Sequence, residues 1–285
     1  MKSKISNKGE KRDEFFLITA LFSRRLAYPL AVIFHRLGLS ANMVTVLGGC
    51  LWILSVIAII FAGWLWSGAG SVGLVLLVVA IVFWNLGFIL DVADGSIARM
   101  TGTSTSSGSF LDFVFHLIFQ PMYFCSIGVF LFFVSWNVFY LVIGVLSICS
   151  GWGVSFGSKE HVLCEHIAKR STDISAFSDD EVYRIFIDSV RTRTPVSEKR
   201  TSIVGRLCSL VEEFVCFPGQ YMLMTSLVVA DLIVMRWFDV EFLFLKFGFV
   251  AISLVTLARV PFRIRREFRT LVEYDEIRAR GNGKL

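Results

Sequence analysis

The chain is expected to be an all-α, polytopic membrane protein with six transmembrane helices and an interfacial amphipathic helix ahead of the first. Three observations predict this. Of its 285 residues 55% are hydrophobic, with a mean hydropathy of +0.69, against about 45–50% apolar residues in a soluble domain. The excess is gathered into blocks of bilayer-crossing length, near 42–63, 72–92, 110–134, 137–157, 213–235 and 241–262, where about 20 apolar residues suffice for a span. The joins between blocks alternate in charge. GWLWSGAGS and VSWN carry none and RWFDV nearly none, whereas the 93–109 link and the 158–212 segment face the other way with the basic residues. Eight of the 28 lysines and arginines precede residue 41, nine lie in 158–206, and eight lie from Arg259 onward. The positive-inside rule then places both termini and both charged joins in the cytoplasm.

The stretch 14–40, EFFLITALFSRRLAYPLAVIFHRLGLS, repeats apolar residues at helical spacing and is interrupted by Arg24, Arg25, His35 and Arg36. It is expected to be one amphipathic helix, or two meeting near Pro29, lying in the interface with its basic side chains toward anionic headgroups. A seventh span is disfavoured, because paired arginines in mid-segment are costly in lipid. The layout is therefore 1–40 as cytoplasmic N-terminus and amphipathic helix, and 41–157 as spans one to four. Residues 158–212 form a cytoplasmic insertion, 213–262 spans five and six, and 263–285 a basic tail. The six cysteines are scattered without a CxxC pair, so a disulfide framework or structural zinc site is not expected. His161, Cys164 and His166 lack a fourth metal ligand. The polar N-terminus has no nearby small-residue cleavage site, and export is not expected.

The chemistry concentrates in DVADGSIARMTGTSTSSGSFLDFVFH, 91–116. Carboxylates that merely end a helix in water would account for Asp91 and Asp94. They do not account for Asp112, flanked by Phe110, Leu111 and Phe113 inside the next apolar run. Asp91 and Asp94 are three apart and Asp112 and His116 four apart, so each pair shares a helix face. Two successive helices thus bring four potential ligands to one cytoplasmic point. Crowded carboxylates repel unless they hold a cation or a proton. Oxygen-rich ligation suits Mg²⁺ or Mn²⁺, commonly shared with substrate phosphates. Gly95 and Gly108 permit close approach of a bulky ligand, Arg99 can fork onto a phosphate, and 101–108, TGTSTSSG, adds hydroxyls. The expected site is a divalent-metal centre for a phosphorylated substrate at the membrane rim.

This stretch resembles the signature of the CDP-alcohol phosphatidyltransferase family, D-x2-D-G-x2-A-R-x8-G-x3-D-x3-D. Here it runs Asp91, Asp94-Gly95, Ala98-Arg99, Gly108, Asp112 and then His116, where the family has Asp. LSANMVTVLGG, 39–49, is similar to the family's Pro-Asn-x-x-Thr entry to its first span, with Ala41 in place of Pro. The resemblance covers roughly 14–262. It implies transfer of a substituted phosphate from a CDP-linked lipid donor to an alcohol with release of CMP, as in phospholipid biosynthesis. It implies two divalent ions, Mg²⁺ or Mn²⁺, held by Asp91, Asp94, Asp112 and His116. Asn42, Thr45, Gly95, Arg99, Thr105 and Gly108 would bind the CDP donor. The partners it implies are that donor, the acceptor alcohol and membrane lipids. A homodimer is left open, and no nucleic acid is expected.

The substitution at the last position leaves three readings. His116 is the general base, suited by an unperturbed pKa near 6.5; or it is chiefly a ligand that tilts the site from Mg²⁺ toward Mn²⁺ or Zn²⁺; or catalysis is lost, and a degenerate member binds nucleotide or lipid or acts as a scaffold. Retention of the other seven positions favours activity. For a phosphorylated acceptor, Lys159, Arg259 and Arg263 are candidate cations, with positive-inside anchoring an equal alternative. A transporter would place polar groups near mid-bilayer in repeated, broken helices, whereas this acidic cluster lies at the rim and occurs once. Asp231, deep in an apolar run, is expected to be a snorkelling or helix-end residue.

Overall fold

The computed structural model describes residues 23–103, 106–148, 217–238 and 241–282. Among them lie seven helices and no strand. They are α1 (Arg24–Arg36), α2 (Ala41–Trp66), α3 (Gly70–Thr101), α4 (Ser106–Ser135), α5 (Phe139–Ile148), α6 (Phe217–Met235) and α7 (Leu243–Asn282). Four stretches are long and apolar enough to cross a membrane: Ala41–Trp66, Gly70–Thr101, Val114–Ser135 and Leu243–Phe262. The expected fourth and fifth spans correspond to two shorter apolar helices, Phe139–Ile148 and Gly219–Met235. Residues 149–216, which include the 158–212 insertion with His161, Cys164 and His166, lie outside the described residues.

Local chemistry sets the helix ends. Ser40 caps α2, its hydroxyl accepting from the Met43 N–H at 3.3 Å, which satisfies one orphan donor of the first turn. Asn137 does the same for α5 through the Phe139 N–H at 3.0 Å. Gly102, at φ 68°, closes α3 in the left-handed conformation and donates its N–H to the Ala98 carbonyl. α1 runs unbroken through Pro29, so the alternative of two helices meeting there does not hold.

The largest departure from expectation is the length of α3. Its helix continues to Thr101, and α4 begins at Ser106. The 93–109 link therefore shrinks to a few residues, and Asp91 to Arg99 are all helical. The cause is burial. Ala93 and Ile97 pack with Ala27 and Ala31 of α1 and with Val44 of α2 in a small apolar cluster. That contact favours about two and a half more turns of helix over a loop.

The bundle centres on α2, against which α3 packs antiparallel and α4 parallel, Gly49 meeting Phe115 and Gly63 meeting Phe130. A methyl group added at Gly87 would come within 2.6 Å of the Trp52 ring and 3.0 Å of the Gly48 carbonyl oxygen. α2 and α3 thus cross at a distance that only small residues allow. Trp52 stacks on Trp84 with centroids 5.6 Å apart, Trp84 lies 4.1 Å from Tyr123 and 5.0 Å from Tyr221, and these rings tie α2, α3, α4 and α6 together. Polar groups in this interior are paired between helices. Gln120 donates to Gln220 at 3.2 Å, Asn85 to Thr225 at 3.1 Å, and Ser55 to the Ala80 carbonyl at 2.7 Å.

Asp231 lies near the end of α6, as expected, but does not snorkel to water. It is 1% exposed, and its two oxygens accept from the backbone N–H groups of Phe244 and Leu245, at 2.8 and 2.7 Å. It caps the start of α7 from α6, supplying a negative charge at the positive end of a helix. Beside it, Trp66 at the end of α2 donates to Glu241 and packs edge-on against Phe242. Both contacts place the start of α7 at the end of the bundle opposite Asp91. Asp231→Ala is expected to cost about 1–3 kcal/mol, the penalty for orphaning buried partners of a charged group. A thermal midpoint of the detergent-solubilised variant equal to that of wild type would contradict this capping role.

Candidate metal centre at the end of the bundle

The last turns of α3 and the first turns of α4 meet at one end of the bundle. Asp91, Asp112 and His116 each offer a ligand atom there, all within 4.8 Å of one another and all partly buried. Nε2 of His116 lies 3.1 Å from Oδ1 of Asp112 and 3.4 Å from Oδ1 of Asp91. Asp112 is the most open, with its side chain 49% exposed, against 16% for His116 and 13% for Asp91. The imidazole has Trp52 beside it, centroids 5.8 Å apart, so an aromatic floor separates the cluster from the apolar core.

Asp94 turns elsewhere. The residue is 8% exposed, and its carboxylate accepts a hydrogen bond of 2.5 Å from the hydroxyl of Thr45 on α2. The reason is angular. Residues three apart on a helix differ by about 60° in direction, those four apart by about 40°. At this junction 60° is enough to point Asp91 at α4 and Asp94 at α2. The expected four-ligand group is thus a cluster of three plus a neighbouring carboxylate tethered across the α2–α3 interface.

The other expected residues are distributed around this end. Asn42 is exposed in the first turn of α2, one turn before Thr45. Gly95 is partly exposed, and a methyl group there would meet the Arg99 guanidinium at 3.2 Å. Arg99 donates to the Ser96 hydroxyl at 3.3 Å, folded along its own helix. Gly108 is partly exposed in the first turn of α4. Arg259 is partly buried on α7, about 24 Å along the helix from its start, which carries it toward the end where the cluster lies. Thr105, Lys159 and the side chain of Arg263 lie outside the described residues.

Thr45, a candidate donor contact, also holds Asp94 through its hydroxyl. The sequence does not point to Trp52 or Gln120 in the same way. Gln120 had a signal, since Asp112, His116 and Gln120 recur every four residues and so form one stripe on α4. Trp52 had none, because its approach to His116 depends on the α2–α3 crossing.

The donor set fits a divalent ion. Two ligands at about 2.1 Å from an ion and at right angles to each other are about 3.0 Å apart, close to the 3.1 and 3.4 Å found from Nε2. The same nitrogen lone pair can take a proton or bind an ion, but not both at once.

A family model described as CDP-alcohol phosphatidyltransferase matches residues 39–171. That interval contains Thr45, Asp91, Asp94, Asp112 and His116. Searches of curated proteins and of solved structures returned no match. The match covers a little under half of the 285 residues and takes in the seven signature positions, so residues 39–171 are similar to a CDP-alcohol phosphatidyltransferase domain.

Proposed function

We propose that this protein is an active CDP-alcohol phosphatidyltransferase-type enzyme that moves a substituted phosphate from a CDP-linked lipid donor to an alcohol, releasing CMP, in phospholipid biosynthesis. The observation that carries this reading is the convergence of Asp91, Asp112 and His116 inside the segment that matches the family. In the reaction the alcohol oxygen forms a new bond to the donor phosphorus. The P–O bond to CMP breaks with its electron pair leaving on CMP, and the hydroxyl proton passes to a base. A divalent ion at the cluster would neutralise the diphosphate and the charge that develops on the departing CMP. A second ion would draw on Asp94, which Thr45 holds nearby.

The same end of the bundle offers the donor its contacts. Asn42 and Gly95 are accessible there, Arg99 is the local cation, and Gly108 opens α4 with little bulk. Thr105 in the short α3–α4 join is assigned to the phosphates on its sequence position. A phosphorylated acceptor would need a cation, for which Arg259, Arg263 and Lys159 remain the candidates. The lipid tails of the donor stay in the bilayer while its headgroup reacts at the rim.

The clustering of basic residues supports a cytoplasmic site and cytoplasmic termini. In that orientation the segments that contain α5 and α6 are the fourth and fifth of six proposed spans. α1 lies in the interface, with Arg24, Arg25 and Arg36 near headgroups and exposed Leu26 and Ile33 toward the acyl boundary.

A CMP-release assay with CDP-diacylglycerol and a panel of alcohols, run in Mg²⁺ and in Mn²⁺, tests the reading. Wild type is expected to release CMP only when an acceptor is present, and Asp112→Asn to abolish release. An Asp112→Asn variant as active as wild type would remove the proposed site. Thr45→Val should lower turnover about tenfold, as loss of a hydrogen bond of about 1.4 kcal/mol requires. Thr45→Ser should retain it; equal loss in both variants would argue against the tether to Asp94.

A further inference from the structure

We propose that His116 is a metal ligand through Nε2 rather than the general base, and that the centre is a mixed nitrogen–oxygen site preferring a first-row transition ion such as Mn²⁺ to Mg²⁺. This rests on the transferase reading only in requiring a divalent ion at the cluster. The argument begins with direction. Of the two ring nitrogens, Nε2 is the one turned into the cluster, 3.1 Å from Asp112 and 3.4 Å from Asp91. These are the separations of neighbouring ligands around a small ion, so the ion and the two carboxylates compete for the same lone pair that a base would use. A base must also keep that lone pair open to the incoming alcohol. Here Nε2 faces two carboxylate oxygens and the His116 side chain is 16% exposed, while Asp112 is the open member at 49%.

The ring is not free to swing out. Its i+4 relation to Asp112 fixes it on one face of α4, and Trp52 packs beside it. Trp52 is itself 1% exposed, wedged against Gly87 and stacked on Trp84. A rigid neighbour that holds an imidazole toward two carboxylates is what a nitrogen ligand needs. Ion preference then follows from ligand type. Mg²⁺ takes oxygen and sheds water reluctantly, whereas imidazole binds first-row divalent ions progressively better along their series. Exchanging a carboxylate for an imidazole therefore disfavours Mg²⁺ relative to Mn²⁺.

The test is spectroscopic. Full-length protein, purified in detergent with any affinity tag removed, is loaded with one equivalent of Mn²⁺ and examined by pulsed electron paramagnetic resonance for ¹⁴N modulation from a directly bound imidazole. Wild type is expected to show the modulation. His116→Asp is expected to keep Mn²⁺ and lose the modulation. Its preference for Mn²⁺ over Mg²⁺ in competition should fall about tenfold or more, the lower range for losing even an outer-shell partner. Should His116→Asp fail to fold, a variant with His35, His161 and His166 all replaced by Gln decides the matter, since its modulation must persist. Tight Mn²⁺ binding without nitrogen modulation in wild type overturns the inference and leaves the metal-dependent transferase reading standing. Modulation that survives His116→Asp, or vanishes in the triple variant, assigns the nitrogen to another histidine and also overturns it. Failure of wild type to bind Mn²⁺ at all removes both.

Discussion

Everything at the working end of this protein depends on two carboxylates from adjacent helices being held against one imidazole at the rim of an apolar bundle. Asp91 and Asp112 have ligand oxygens within 4.8 Å of each other. At an effective dielectric of about 20, two full charges at that distance repel by roughly 3 kcal/mol, a large fraction of the stability of an ordinary domain. Such an arrangement persists only where something positive belongs between the charges. In the proposed centre a divalent ion, bound by both carboxylates and by Nε2 of a neutral imidazole, supplies that charge.

The scaffold is built to impose this crowding. Small residues at Gly48 and Gly87 bring α2 and α3 close, which wedges Trp52 beside His116 and brings the Thr45 hydroxyl to Asp94. α1 covers the last turns of α3 through Ala27 and Ala31, so the stretch that follows Asp94 is helical to Thr101 instead of loop. At the opposite end Asp231 fastens α6 to α7. Among the described residues, the two buried carboxylates are both engaged: Asp231 caps α7, and Asp94 accepts from Thr45 beside the candidate centre.

Much of this was legible in the amino-acid order, and the remainder was hidden for identifiable reasons. The i+4 spacing of Asp112 and His116 predicted their common face, and they do share it. The i+3 spacing of Asp91 and Asp94 also suggested a common face. The residual 60° between them sends one to α4 and the other to α2, which spacing along a single helix cannot foresee because it depends on where the neighbours stand. The polar run after Asp94 resembled a link, but burial of Ala93 and Ile97 under α1 extends the helix. Asp231 looked like a snorkelling or helix-end residue because its partners, two backbone N–H groups thirteen and fourteen residues on, carry no sequence signature. The apolar blocks near 42–63, 72–92, 110–134 and 241–262 were plain because hydropathy integrates over many residues.

On the reading proposed above, His in place of Asp at the last signature position changes the character of the centre rather than its location. It leaves the carboxylates of Asp91 and Asp112 in place and exchanges a hard donor for a nitrogen. The most direct measurement is anomalous scattering at the manganese edge from crystals of the protein grown with Mn²⁺. The account predicts a peak within about 2.0–2.4 Å of Asp91, Asp112 and Nε2 of His116. A peak elsewhere in the molecule, or none at this cluster, would contradict it.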